Sequence, residues 1–411
     1  MACIVKIPTS FSKGVVTFTT QERDKFIVNN KELEERIDSL KDRWVFGLHH
    51  NWHDFKFNYN PIFDFSMAGE TDLLEVNDKQ VPLLTLDACN FSPSDFHYSK
   101  NEKFWDILYV GRAVNFKKIP EFFKMVRKLY DRGLMYRVLL VAPVPDECKE
   151  SNPSPTVFCK IRDEYDKIFT EEEKNIFTLL TTDYRNPFPF DIATVSQFYK
   201  LSKVFVHSAD EERRCRVAGY AWACGMPVVS MESVASLLPK EKQHKPFSYI
   251  AKRYEDFPAL IEEAVELVNS DTFNQQLMQE GIEETSELFT KEKLKEELSK
   301  YCNGIEEDSK YALKNLDIRL GRHHGLGDNT NSVGWSIETL LNYLEHQPIS
   351  EMSEDIKHPD PERLITKYVK YGKLEKEILY TEKDDFSFKG MLINLHDKYE
   401  FLQKLRKMFK N

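Results

Sequence analysis

Along the middle of this chain, short apolar runs alternate with segments whose apolar residues recur at helical spacing. From residue 106, "DILYVG" reads as a buried strand, "IPEFFKMVRKLYDRG" as an amphipathic helix ended by Gly133, and "YRVLLVAPV" as the next strand. Strand, helix, strand is a parallel unit, and the rhythm continues. A helix is predicted in "PTVFCKIRDEYDKIF", a strand in "NIFTLLTT", a helix in "DIATVSQFYKLS", a strand in "KVFVHS", a helix in "RVAGYAWACG" and a strand in "PVVSM". Five strands alternating with helices predict a doubly wound α/β sheet. Right-handed crossovers put the loops after Val110, Val141, Thr181 and Val206 on one rim of it. Beyond it, "FPALIEEAVELVNS" and "EGIEETSELFTKEKLKEELSKYC" read as two packed helices.

The flanks are less regular. The charged helix "NKELEERIDSLKDR" precedes an apolar strand, "WVFGLHH", and then the aromatic, Pro-containing "NWHDFKFNYNPIFDF". After residue 306 come the Gly- and Asn-rich loop "GRHHGLGDNTNSVG" and helical segments that end in the basic "KYEFLQKLRKMFKN". The expected organisation is a small α/β domain over 1–100, a Rossmann-like domain over 101–305, and a mostly helical extension over 306–411. At 411 residues the chain is too long for a single ordinary core.

Charge narrows the partners. The 57 basic and 67 acidic residues are mixed along the chain and leave a net charge of −10, which argues against nucleic acid as the main partner. The seven cysteines form no C-x-x-C pair and leave an odd one, so unpaired thiols and a cytoplasmic setting are expected. The opening "MACIVKIPTS" carries no long apolar segment, and no transmembrane segment is expected, although contact with a membrane surface remains open.

The stretch "FVHSADEERRCRVAGYAWACGMPVVSM" crowds Glu211, Glu212, Arg213 and Arg214 just past a predicted buried strand, at the carboxyl end where open α/β sheets bind ligands. With "ILYVGRAVNFKK" before it, this part of the chain, about residues 106 to 305, resembles the retaining nucleotide-sugar glycosyltransferases of the GT-B fold, with the group 1 type of donor domain. In that fold two Rossmann-like domains face each other across a cleft. The resemblance implies that Arg112 and Lys117, with Lys118 as the other choice, hold the donor diphosphate, and that Gly111 and Ser208 lie against the donor. Two glutamates of the family's loop and helix, separated by seven residues, serve the donor sugar and the ribose. Counting back from "AWACG" puts the first at Glu212, and counting forward from Ser208 puts it at Glu211. The second falls on Tyr220, which cannot grip two ribose hydroxyls as a carboxylate does but could offer a ring face for stacking.

The chemistry explains these residue types. Breaking a sugar–phosphate bond puts charge on a departing diphosphate, and fixed cations aimed at its oxygens stabilise the transition state. Arg suits the bidentate task and Lys the point-charge one. No metal and no cofactor beyond the nucleotide-sugar co-substrate is then expected. In "GLHHNWHDF", His49 and His53 have the spacing of a zinc helix, but the segment reads as strand and loop, and His50 stands where a general-base Glu would be. By the resemblance, one of these histidines, His50 in the leading assignment, faces the reacting sugar. His323 and His324 lie in a loop lacking the strand and lysine of a phosphate loop. Three functions compete: a metal-independent, retaining glycosyltransferase acting on a glycan, lipid-linked sugar or other hydroxyl; a catalytically degenerate binding or scaffold protein, which Tyr220 favours; and a DNA glucosyltransferase, which the net charge disfavours. The first domain is short for this fold, so either it is minimal or the 306–411 extension completes it.

Overall fold

The fold is seen in a computed structural model that describes residues 3–49, 92–142, 157–181, 192–282, 287–302, 310–313 and 337–354, with short pieces at 56–57, 60, 62–68, 75–76, 83–84, 86, 90, 284 and 356. The described residues form an α/β protein with two six-stranded sheets and a short separate strand pair, β4 (Lys56–Phe57) with β6 (Glu75–Val76).

The second sheet contains β8 (Trp105–Val110), β9 (Val138–Val141), β10 (Phe177–Leu180), β11 (Ser202–His207), β12 (Val228–Met231) and β13 (Ser248–Ala251). All its neighbours are parallel, in the order β10-β9-β8-β11-β12-β13. That is the Rossmann order, and the direction of winding reverses between β8 and β11. Each strand is apolar on both faces because helices cover both. On one side Ile107, Tyr109, Leu140 and Val206 pack against the helices Ile119–Asp131, Val157–Ile168 and Phe257–Asn269. On the other, Leu108, Leu139 and Phe205 pack against Tyr199 of the helix Ile192–Lys200 and against the helix Arg216–Ala223. Gly225, at φ +71°, follows the latter helix, and a Cβ there would lie 2.4 Å from the Gln275 carbonyl oxygen, so only glycine fits. Strand β13, in "FSYIA", is a sixth strand that the apolar rhythm missed: it is only four residues long and bounded by Pro246 and charged residues.

The first sheet is ordered β14-β1-β2-β3-β5-β7, from β1 (Cys3–Ile7), β2 (Gly14–Thr19), β3 (Trp44–His49), β5 (Phe65–Met67), β7 (Leu83–Leu84) and β14 (Lys310–Tyr311). Strands β2, β3, β5 and β7 are parallel, and β1 pairs antiparallel with both β2 and β14. Val16, Phe18 and Phe46 point to one face, covered by the helices Lys31–Ser39 and Ile337–His346; Val5, Val15 and Val45 point to the other, covered by Leu294 and Leu298 of the helix Glu287–Ser299. Arg36 ties the first pair of helices together: its Nε donates to Glu345 Oε1 at 2.7 Å, and its Nη1 to Glu338 Oε2 at 3.1 Å.

Two expectations are corrected. The helix Glu287–Ser299, assigned by sequence to the 101–305 domain, covers the first sheet; an amphipathic stripe states that a helix is half buried, not which sheet buries it. Cys159 is disulfide-bonded, against the expectation of unpaired thiols, while Cys3, Cys215, Cys224 and Cys302 are buried and not disulfide-bonded. The Gly- and Asn-rich loop with His323 and His324, and the helical segments expected after residue 356, lie outside the described residues. No helix among the described residues is long and apolar enough to cross a membrane.

The join between the first sheet and its returning helix yields a prediction. A Cβ on Gly47 would lie 2.3 Å from the Phe65 ring, which is fully buried and stacked on Tyr301 at 5.3 Å between centroids. Gly47→Ala is expected to lower the unfolding free energy by about 1–3 kcal/mol through overpacking, measured by chemical denaturation; an unchanged midpoint would show that the ring has room to move.

Candidate functional site

The direction of winding reverses between β8 and β11, the place where open parallel sheets bind ligands, and two loops meet at the carboxyl ends of these strands. The loop after β8 carries Gly111, Arg112, Lys117 and Lys118; the loop after β11 carries Ser208, Asp210, Glu211 and Glu212. They are stitched together through backbone groups. The Ser208 hydroxyl lies 2.9 Å from the carbonyl oxygens of both Lys117 and Lys118, and the buried Tyr109 hydroxyl donates to the Lys117 carbonyl at 2.6 Å. Lys118 is left-handed at φ +52° and caps the start of the helix Ile119–Asp131, so the chain turns sharply just after Lys117. A Cβ on Gly111 would crowd the Tyr109 ring at 3.1 Å, while the Lys117 stem would lie at ordinary contact distance, 3.6 Å.

This frame brings together three charged or titratable side chains from two strand ends. The buried Lys117 ammonium donates to Glu212 Oε1 at 2.6 Å and also reaches Oε2. His207, the last residue of β11 and fully buried, donates from Nε2 to Glu212 Oε2, because an ionised carboxylate can only accept. Burial alone would raise the Glu212 pKa, but His207 and Lys117 hold it down at about 2. Burial, and after it the Lys117 charge, push the His207 pKa below its ordinary value, with Glu212 acting in the opposite sense. At neutral pH the cluster is therefore an ammonium, a carboxylate and a neutral imidazole. His207, Glu212 and the buried Cys215 place three potential metal-binding atoms within 4.8 Å of one another, but the Lys117 ammonium already lies on the carboxylate, so the site does not fit a metal as it stands.

Around the cluster, Lys118 Nζ lies 3.3 Å from Asp210 Oδ2, which also accepts from the Tyr254 hydroxyl at 3.1 Å. Arg112 is exposed and makes no side-chain hydrogen bond or ion pair among the described residues. Glu211 is exposed too, and Glu212 turns inward. Of the two positions that the sequence left open, Glu212 is thus the one in contact with Lys117. His49 is half buried at the end of β3, while His50 and His53 lie outside the described residues.

Tyr220 is not where the sequence reading expected it. Its ring is buried and stacked on Phe96, with centroids 4.0 Å apart and planes 11° from parallel, and it meets Tyr199 edge-on at 6.2 Å. The expectation of a ring face free for a nucleoside is corrected: Phe96, from the segment joining the two sheets, takes that face. The sequence reading gave no role to His207, Asp210 or Arg214, although Arg214 stood in its charged cluster. Buried Arg214 adopts φ +50° and donates to Asn90 Oδ1, and its amide donates to Ser236 Oγ at 3.1 Å. His207 left a signal as a histidine ending the apolar run "KVFVH".

No family model matches the sequence, and no curated protein sequence matches it. Solved structures resemble it in part. A glycosyltransferase from Rickettsia africae aligns with a TM-score of 0.45 at 13% identity, over 66% of this chain and 80% of its own. The pneumococcal O-GlcNAc transferase GtfA, in complex with UDP and GlcNAc, aligns at 0.42 and 10%, over 65% of this chain and 54% of its own. The C-terminal domain of a glycosyl transferase group 1 family protein from Francisella tularensis aligns at 0.34 and 12%, over 48% of this chain and 97% of its own. At these scores the likenesses carry no argument about chemistry; the fold rests on the strand order and pairing registers of the two sheets.

Two predictions concern the site's construction. Glu212→Gln leaves the Lys117 ammonium buried without its counter-charge and is expected to cost about 3 kcal/mol at neutral pH. Stability from a carboxylate with a depressed pKa is present above its unfolded value, roughly 4.3, and is lost as pH falls through the folded value of about 2. The gap between wild type and variant should therefore narrow in acid, and a constant gap in pH-dependent denaturation would contradict the assignment. For Tyr220, Tyr220→Ala is expected to cost about 3 kcal/mol by opening a cavity beside Phe96, and Tyr220→Phe about 1 kcal/mol or less. Equal stability of all three proteins in denaturant would show that the stack contributes nothing.

Proposed function

We propose that this chain is a glycosyltransferase that moves a sugar from a nucleotide-sugar donor to a glycan or other hydroxyl acceptor, with retention of configuration and without a metal ion. One observation carries the reading: a buried cationic and acidic cluster, Lys117 with Glu212 and His207, sits at the winding reversal of a Rossmann-ordered parallel sheet. An anionic ligand there would meet Lys117 and the exposed Arg112 on one loop, and Glu212 on the other. In this reading Arg112 engages the diphosphate in bidentate fashion and Lys117 acts as a point charge, both stabilising the charge that develops as the sugar–phosphate bond breaks. Glu212 faces the donor sugar. Retention follows if the leaving phosphate removes the acceptor proton on the same face, which asks no separate base of the protein and leaves it to position and stabilise.

The stack of Phe96 on Tyr220 favours a second reading, in which the chain binds a sugar nucleotide without turning it over, since the helix position that would hold the ribose is closed by an aromatic ring. The two readings differ in turnover rather than in binding.

A panel of nucleotide sugars, scored by donor hydrolysis, transfer and thermal stabilisation, tests both; a donor at 100 times its Kd adds about 2.7 kcal/mol of stability. For the enzyme, Arg112→Ala and Lys117→Ala are each expected to lower turnover by on the order of 10²–10³, and turnover is expected to persist in excess chelator. Stabilisation by a donor without turnover would support the binding reading. Wild-type turnover by Arg112→Ala, or full metal dependence, would overturn this mechanism.

A further inference from the structure

The Lys117 ammonium has two competing uses. The Glu212 carboxylate, 13% exposed in its side chain, takes its charge in the structure as it stands, and a bound diphosphate would take the same charge in the donor reading, on which this inference rests. A carboxylate so enclosed cannot be left without a cation at low cost.

His207 is placed to supply that cation. Its Nε2 already donates to Glu212 Oε2 and lies 3.4 Å from Lys117 Nζ. Its Nδ1 is buried and has no hydrogen-bond partner among the described residues, so adding a proton there breaks no existing bond. The other groups facing the ring do not compete. The Tyr109 phenol, from β8, has its ring centroid 5.1 Å from the imidazole; burial pushes its pKa well above the ordinary value, and its hydroxyl is committed to the Lys117 carbonyl. Phe205, on the same strand, offers only a ring. Cys215 contributes a thiol, and no carboxylate other than Glu212 acts on His207 among the described residues. The Lys117 charge is one of the influences that keep His207 neutral, and Glu212 is the one that would charge it.

We propose that His207 takes up a proton when the Lys117 ammonium is drawn from Glu212 to an anionic ligand, so that the carboxylate keeps a cationic partner and binding of the diphosphate is coupled to proton uptake. His207 is thus a positioning residue: it holds Glu212 ionised and in place while Lys117 serves the ligand. Charge balances in the exchange, because one proton from solvent replaces one ammonium on the carboxylate.

Calorimetric titration of UDP, and separately of inorganic pyrophosphate, into the full chain at about pH 7.5 in HEPES and in Tris tests the coupling. Wild type is expected to show an enthalpy that rises with the ionisation enthalpy of the buffer, corresponding to uptake approaching about one proton per ligand, and His207→Gln is expected to lose that dependence. A ligand-free test is the ring NMR titration of His207 in Lys117→Met, where the imidazole pKa is expected to rise above that of wild type. Binding with the same buffer dependence in wild type and His207→Gln, or an unshifted His207 in Lys117→Met, would overturn the inference. If neither anion binds and the His207 shift is still present, the exchange of ammonium for proton stands and the donor reading falls.

Discussion

The parallel pairing of β8 with β11 is the contact on which the rest of the molecule's chemistry depends. Its register sets Ser202 opposite Trp105, Val204 opposite Ile107 and Phe205 opposite Leu108, although about a hundred residues separate the two strands in the chain. Every other pairing in the second sheet builds outward from this one, in opposite senses on its two sides. Because both strands end on the same rim, their following loops are brought side by side. The ion pair of Lys117 with Glu212 and the hydroxyl of Ser208 on two lysine carbonyls are consequences of that register.

The cluster at the rim is a poor way to gain stability. A buried ammonium and carboxylate lose their hydration, and their attraction returns only part of that loss unless every remaining donor and acceptor is satisfied. The His207 Nδ1 and Asp210 Oδ1 lack partners among the described residues. A core made only for stability would fill this space with apolar side chains, as the same sheet does beside it, where Tyr109, Val204 and Val206 share a core with Phe122 and Ile119. Polar groups held together at such a cost, at the winding reversal of a parallel sheet, make this cluster the candidate site.

The two sheets are also linked by more than a single strand of chain. Asn90, just past the first sheet, accepts from Arg214 of the site loop, and its carbonyl accepts from Thr290 on the helix that returns to the first sheet. Phe96 then closes over Tyr220. The site loop is thereby held to the segments that join the two halves.

Local pattern was enough to specify five of the six strands of the second sheet and the rim on which their loops gather, because apolar runs, helical periodicity and right-handed crossovers act over short stretches of chain. It also set the Glu211–Glu212 pair apart as a charged cluster at that rim, while Lys117 was singled out only by the resemblance. Which glutamate turns inward was not a local question: both sit in one polar loop, and the choice is made by an ammonium that arrives from a strand end 95 residues away. The same holds for Tyr220, whose small-residue helix is legible while its stacking partner, Phe96, comes from a stretch with no periodic signal. Strand β13 was too short to stand out, and the helix Glu287–Ser299 declared its buried stripe without declaring which sheet would cover it. Long-range contacts assign partners to side chains, and partners decide charge state, exposure and orientation; the sequence by itself determined five strands of the second sheet and the helices between them, and only the tertiary structure decided what each reactive group faces.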